Sequence, residues 1–363
     1  MCPGLAPQVM MPYFSIIVPT FNRSTKIRWT IDSVLAQDAR DWELLVISDG
    51  STDDTEAVVR SYSDSRVHLV TLPENSGHPS SPRNTGLELA RGQVVCYLDH
   101  DDAYRPQHLS ILRSAYEGQG AQVVATGAQF LTADPREPRC TSVLDLVWHR
   151  EIQTLGPIFQ PTQVSMRREV ACAVGLWTAE RIGLEDWDMW LRLALAEFSF
   201  YVIGEHTVEI TRSSSSRSHQ LPVKWQVPLG HAQTSEQTQE LATCMQSPRA
   251  FAEATRITLA EAAHWYESLW AEGLVVPVSP GGEPMVSDAA HLVRMVKDQP
   301  VPFPWPPLRA VPRSDGSFDV GIDLLTVDRW HSQLAVDTIN RRFPRKLALV
   351  RTLMKEAGLD LVV

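Results

Sequence analysis

The sequence predicts a doubly wound α/β domain followed by a mainly helical region, and three observations carry that reading. Four short apolar runs rich in β-branched residues lie within the first 130 positions, and such runs are typical of strands buried on both faces of a parallel sheet. Single helix-like stretches separate them, which implies right-handed crossovers between neighbouring strands. Polar clusters stand where the runs end, and in such sheets ligands bind beyond the carboxyl ends of the strands.

Taken in order, FSIIVP (14–19) leads into PTFNR (19–23) and a helix over 25–37. WELLVIS (42–48) ends in SDGST (48–52), followed by a helix over 52–62. RVHLVTL (66–72) precedes a helix over 82–91, and QVVCYLD (93–99) ends in DHDD (99–102), ahead of a helix entered at Pro106. Later, Ser247 and Pro248 read as N-cap and N1 of a helix to about Glu272. Its apolar stripe holds Leu259, Ala262, Ala263, Tyr266, Leu269 and Trp270. The Pro-rich stretches VPVSPGGEP (276–284) and PVPFPWPPLRAVP (300–312) are expected to wrap over a surface, and a last helical region starts near Val327.

Composition narrows the function. The 363 residues carry 33 Lys and Arg against 43 Asp and Glu, a net charge of −10, which argues against nucleic acid as a partner. Five cysteines without a CxxC pattern indicate neither a disulfide framework nor a zinc site, and a reducing cytoplasm suits them. No apolar stretch approaches the roughly 18 residues of a membrane span. One local exception to the acidic balance is the run of Arg341, Arg342, Arg345, Lys346, Arg351 and Lys355. It suits peripheral contact with an anionic membrane or a phosphorylated acceptor, and equally a solvated helix, neutralisation of the acidic domain, or packing between protomers of a homo-oligomer.

The polar clusters suggest chemistry. Asp99, Asp101 and Asp102 repel one another unless a cation or a raised pKa relieves them. Carboxylates without nearby Cys suit Mg²⁺ or Mn²⁺, which characteristically join carboxylates to substrate phosphates; a solvated strand end is the plain alternative. Asp49 ends an apolar strand, so its carboxylate can face a cleft, or it can cap the next turn. In GLEDWDMWLRL (183–193), Glu185, Asp186 and Asp188 open a helix, with Asp188 and Arg192 spaced as an i, i+4 pair. Trp187 and Trp190 fit an acceptor platform or ordinary core packing equally.

FSIIVPTFNR, LLVISDGSTDDT, SSPRNTGLELARG, CYLDHDDAYRP and GLEDWDMWLRL occur in an order and spacing that resembles family 2 glycosyltransferases of the GT-A fold, over about residues 14–219. The resemblance implies an inverting, metal-dependent transfer from a nucleotide sugar, most naturally a UDP-sugar, to an acceptor hydroxyl. Pro19, Thr20, Phe21, Asn22 and Asp49 would form the nucleotide pocket, with Arg83 and Asn84 turned toward base and diphosphate. Asp99 would lie near the ribose, Asp101 would bind Mn²⁺ or Mg²⁺, and His219 of TRSSSSRSH (211–219) is a further metal candidate. Asp186 would take the acceptor proton, with Glu185, Trp187 and Trp190 on the acceptor side. Residues 12–220 would be the catalytic domain, and 221–363 an accessory region for acceptor binding or oligomerisation. The motif of processive synthases is replaced by TVDRW (326–330), so a non-processive enzyme is expected. The acceptor is a carbohydrate, a lipid-linked saccharide, a protein or a small molecule. Two alternatives are a sugar nucleotidyltransferase, whose GxGxR loop is absent at PTFNR, and a non-catalytic nucleotide-sugar-binding module.

Overall fold

The computed structural model describes residues 11–131, 139–179, 183–212, 224–301 and 304–362. The chain divides into two compact units, residues 1–221 with 275–285, and residues 222–274 with 286–363.

The first unit begins with β1 (Phe14–Thr20), α1 (Ile27–Leu35), β2 (Trp42–Asp49), α2 (Thr55–Arg60), β3 (Val67–Leu72), α3 (Ser80–Leu89) and β4 (Val94–Tyr97). It continues through β5 (Ala103–Tyr104), α4 (His108–Gly118), β6 (Val123–Leu131), β7 (Arg139–Cys140), α5 (Arg150–Gln153), β8 (Val164–Arg167), α6 (Arg168–Val174), α7 (Glu185–Leu195) and β9 (Phe200–Thr211). The four expected strands and the helices between them are all present.

Among the described residues nine strands form one sheet, ordered β3-β2-β1-β4-β8-β6-β9-β5 with β7 beside β6. The β3-β2-β1-β4 half is parallel, whereas β8 runs antiparallel to both β4 and β6. Chain order reverses at β1, whose neighbours are β2 and β4, so a crevice opens beyond the carboxyl ends of β1 and β4.

Both faces of the sheet are covered, which explains the unbroken apolar runs. Phe14, Ile16 and Val18 pack with Leu44 and Val46 on one side, while Ile17, Leu45 and Ile47 pack with Trp177, Met189 and Trp190 on the other. Burying each such aliphatic side chain stabilises the fold by about 1.5–3 kcal/mol. A polar staple lies inside this apolar layer. Ser15 donates to Glu43 at 2.6 Å, Gly92 N–H donates to Ser15 Oγ at 2.8 Å, and Arg91 reaches Glu43 with its backbone N–H at 2.8 Å and its guanidinium at 2.6 Å. Glu43 thereby ties β1, β2 and the entry to β4 together.

The second unit comprises β10 (Lys224–Ala232), α8 (Ser235–Gln246), α9 (Pro248–Ala271), α10 (Ala289–Lys297), β11 (Leu308–Pro312), β12 (Phe318–Leu325), α11 (Arg329–Arg342), α12 (Pro344–Glu356) and β13 (Asp360–Leu361). It is mostly helical, with an antiparallel sheet ordered β11-β12-β10-β13 that the sequence does not announce. The reason is compositional: β11 sits at the sheet's edge and ends at Pro312, where a missing N–H is tolerated. The helix expected after Ser247 forms as α9, and Ser247 Oγ accepts from Ala250 N–H at 3.3 Å. Its buried stripe runs through Ala254, Ile257, Glu261, Trp265 and Leu269, a register that includes an acid. Glu261 is there because its carboxylate caps α12, accepting the backbone N–H groups of Arg345 at 2.6 Å and Lys346 at 3.1 Å. Arg342 of the basic run pairs with Glu272 at 2.7 Å, so part of that run neutralises neighbouring acids.

Cys96, Cys140, Cys172 and Cys244 are free thiols. Among the described residues no helix is long and apolar enough to cross a membrane.

Candidate active site

The crevice beyond β1 and β4 is a cavity of about 420 Å³, lined by residues from the ends of β1 to β4 together with Gln160 and the β9 residues Ile210 and Thr211. Pro19, Thr20 and Phe21 enter it from the end of β1, Asp49 from the end of β2, His78 from the loop after β3, and Asp99 to Asp102 from the end of β4.

Asp49 is 4% exposed. Its Oδ2 accepts from Ser76 N–H at 3.1 Å and from Ser76 Oγ at 2.9 Å, while Oδ1 is buried without a partner among the described residues. Thr20 Oγ1 and His78 Nδ1 are in the same condition on the same cavity. Leaving a buried polar atom unsatisfied costs about 1–3 kcal/mol, so three of them around one hollow mark where a ligand's polar groups belong. The loop that carries Ser76 and His78 lies tight against Gly50. A Cβ there would stand 2.6 Å from Asn75 N, and Gly50 has φ +66°, a combination only glycine meets without strain.

The residues following β1 divide into wall and strut. Asn22 does not line the cavity; it adopts φ 48°, and its Oδ1 accepts the Thr52 N–H at 2.8 Å. Its backbone N–H is held by Ser51 Oγ at 3.2 Å. Asn22 thus clamps the β1 loop to the β2 loop and leaves Thr20, Phe21 and Arg23 to face the hollow. Asn84 is a strut as well, binding both Trp177 O and Trp177 N–H through its side-chain amide, at 2.9 and 2.8 Å. Neither amide is turned toward the nucleotide side as the sequence suggested, because each is used up in loop-to-loop hydrogen bonds.

The acidic cluster is also divided. Asp101 lines the cavity with Lys26 Nζ 3.2 Å from its Oδ2. Asp99 accepts from the Arg83 guanidinium at 2.8 Å. Asp102 is buried and accepts from Thr162 Oγ1 at 2.6 Å and Thr211 N–H at 2.9 Å. Its burial, with Asp99's charge next, pushes its pKa well above the usual carboxylate range. Asp102 therefore anchors the end of β4 to β9 more than it adds charge to the hollow.

Among the described residues no three His, Cys, Asp or Glu side chains gather as a metal cage. Two carboxylates on one cavity wall nevertheless fit the way Mg²⁺ and Mn²⁺ are held, by one or two carboxylates together with substrate phosphates. His219 lies outside the described residues. His100, between the aspartates, meets the Pro19 carbonyl with Nδ1 at 3.1 Å, and burial lowers its pKa.

Glu185 and Asp186 open α7. Burial raises the Asp186 pKa to about 7, with the neighbouring Glu185 charge adding to the effect and the Trp187 N–H and Arg83 opposing it. The Trp187 N–H donates to Asp186 Oδ1 at 2.7 Å. A carboxyl that titrates near 7 is matched to taking a proton at neutral pH. Arg83 is 2% exposed and bridges Asp99 to Glu185, the latter at 3.4 Å, with its guanidinium 4.6 Å from the centre of the Trp177 ring. It is not on the cavity wall.

The acceptor platform of Trp187 and Trp190 is corrected by the structure. The two side chains are 2% and 0% exposed, and their indole N–H groups donate to Gln153 O at 2.6 Å and Phe159 O at 2.9 Å. Their spacing served core packing. Asp188 and Arg192 form the expected i, i+4 pair at 2.9 Å. Lys26, Ser76, His78 and Thr162 were missed; none belongs to a local motif, and only the folded loops bring them to the aspartates.

Residues 15–169 match the family model described as Glycosyl transferase family 2. Succinoglycan biosynthesis protein ExoO of Rhizobium meliloti (strain 1021) is 33% identical over 159 residues, 44% of this chain and 45% of that protein. The GalNAc(5)-diNAcBac-PP-undecaprenol beta-1,3-glucosyltransferase of Campylobacter jejuni is 38% identical over 111 residues, 30% of this chain and 36% of that protein. The chain thus spans less than half the length of these curated relatives. Among solved structures, S. aureus TarS 1-349 in complex with UDP-GlcNAc aligns with a TM-score of 0.48 at 19% identity, covering 67% of this chain and 69% of that one. The matched segment contains β1 from Ser15 through β4, the aspartates at the end of β4 and most of the residues that line the cavity, and over that segment the chain is similar to glycosyltransferase family 2.

Proposed function

We propose that this chain is an inverting, metal-dependent glycosyltransferase that moves a sugar from a UDP-sugar to an acceptor hydroxyl. The observation that carries the reading is the cavity itself, which has the buried, unpartnered Asp49 Oδ1 on one side and the Asp99 and Asp101 carboxylates on another. Asp49 accepts a base N–H, and Thr20 and His78 supply further polar contacts to base or ribose. Asp99 takes the ribose side and Asp101 the metal side. A bound Mg²⁺ or Mn²⁺ would offset the charge on the departing diphosphate. Asp186 removes the acceptor hydroxyl proton as the oxygen bonds to the anomeric carbon and the bond to the diphosphate oxygen breaks. One base and one leaving group make a single displacement, hence inversion.

The named specificity of the Campylobacter jejuni relative supports a lipid-linked saccharide as the acceptor class, which suits a cytoplasmic protein working at the membrane periphery. Residues 221–363 are assigned acceptor binding or self-association. The test is incubation with UDP-glucose, UDP-galactose and UDP-GlcNAc, with Mn²⁺ or with EDTA, reading UDP release. Release from at least one donor with Mn²⁺, lost in EDTA and in Asp101→Ala, is the expected result; no release from any donor, with or without lipid-linked acceptor, refutes the reading.

A further inference from the structure

The geometry points to Arg83 as a positioning residue that holds the base-bearing first turn of α7 at a set distance from the donor-side Asp99. The inference rests on the transferase reading above and assigns Arg83 a task other than contact with the nucleotide.

Three features support it. Arg83 stands on α3, and its two terminal guanidinium nitrogens go separate ways, Nη2 donating to Asp99 Oδ1 at 2.8 Å and Nη1 to Glu185 Oε1 at 3.4 Å. One planar group therefore spans the end of β4 and the start of α7. Next, the guanidinium plane is fixed from outside, lying over Trp177, which Asn84 grips at both its N–H and its carbonyl. Finally, the side chain is 2% exposed and already faces two carboxylates, so a diphosphate could reach it only by displacing one of them. The Glu185 contact is the looser of the two, and among the described residues Arg83 Nε and Glu185 Oε2 are both buried without a partner. The pair thus retains the groups for a second hydrogen bond across the same gap.

Asp186 is the next residue along α7, so the Arg83–Glu185 contact sets where its carboxylate stands. Misplacing a reacting group by about 1 Å can cost roughly 100-fold in rate. A lysine retains the charge but, as a point charge, loses the planar fork that meets both carboxylates.

The experiment compares the full-length wild type, Arg83→Lys, Glu185→Gln and the double variant, reading UDP release from whichever of UDP-glucose and UDP-GlcNAc the wild type turns over with Mn²⁺. UDP affinity and melting temperature are measured alongside. We expect each single change to lower kcat about 10–100-fold with the donor KM within about threefold of wild type, and the double change to be no worse than the worse single one. A donor KM raised tenfold or more at unchanged kcat in Arg83→Lys would make Arg83 a nucleotide contact and overturn the proposal, as would unchanged kinetics or additive losses in the double variant. Should Arg83→Lys fail to fold, Glu185→Gln decides alone, since it leaves the Arg83–Asp99 pair in place. Absence of turnover and UDP binding in the wild type would instead remove the transferase reading itself.

Discussion

Asp49 takes both hydrogen bonds from Ser76 on a single oxygen, Oδ2, at 3.1 Å from the amide and 2.9 Å from the hydroxyl. That arrangement fixes the carboxylate and leaves its buried Oδ1 without a partner among the described residues, the atom proposed to receive the nucleotide. A hydrogen bond to a charged group contributes about 1.5–3 kcal/mol, so Asp49→Ala should weaken UDP binding roughly 10–100-fold with the metal affinity unchanged. Isothermal titration checks it, and equal UDP affinity in the variant would remove Asp49 from the nucleotide pocket.

As the proposed base, Asp186 gives a pH dependence whose sign is fixed by that role. The base is the ionised form, so kcat should climb from pH 6 to about pH 8 and level off above, following the pKa of about 7. Stability moves the other way. A carboxyl whose folded pKa is raised stabilises the fold most below its unfolded value, and that contribution is lost as pH rises through about 7. Asp186→Asn should therefore abolish turnover yet show a higher urea midpoint than wild type, by more at pH 7.5 than at pH 5.

Gly50 ties the fold to the pocket. A methyl group there would meet Asn75 N and Glu74 C at 2.6 Å, both of them backbone atoms that cannot swing away. Gly50→Ala should cost about 1–3 kcal/mol of stability and also raise the Kd for UDP, because the displaced loop carries Ser76 and His78. Chemical denaturation and UDP titration on the same preparation separate the two effects; a variant with wild-type values in both would show that the loop is free to move.

Much of this could be read in advance. The runs ending at Thr20, Asp49 and Asp99 are apolar because both faces of the sheet are covered, so strand ends and polar clusters coincide in the sequence. Asp49, Asp99, Asp101 and Asp186 stood out because each is an acid placed immediately after a strand or at a helix start. Asn22, Arg83 and Asn84 were just as visible, but their partners, Thr52, Glu185 and Trp177, come from other loops, and no spacing reveals a contact 102 residues apart. Tryptophans at an i, i+3 spacing carry the same pattern whether they face a sugar or a core; only burial distinguished them. The sheet of the second unit was hidden by the prolines at its edge.

Glu43 is the structural counterpart to the site acids. Burial pushes its pKa up, but hydrogen bonds from Ser15 and Arg91 outweigh that and hold it below the usual value. Its stabilising contribution is present above the unfolded carboxylate pKa and lost as pH falls through the depressed one. Glu43→Ala should cost about 1–3 kcal/mol at pH 7, with the difference from wild type shrinking in acid; a loss under about 0.5 kcal/mol by urea denaturation would show that the staple is dispensable.

The most direct test of the central claim is a thermal-shift titration of the full chain with UDP, in Mn²⁺ and in EDTA, for wild type and Asp101→Ala. A ligand at 100 times its Kd adds about 2.7 kcal/mol to the folded state, or roughly 5–10 °C for a unit of this size. That shift is expected for the wild type with Mn²⁺, and its loss both in EDTA and in Asp101→Ala. No shift with UDP, or one of equal size in EDTA, would contradict the assignment of this cavity to a metal-held nucleotide.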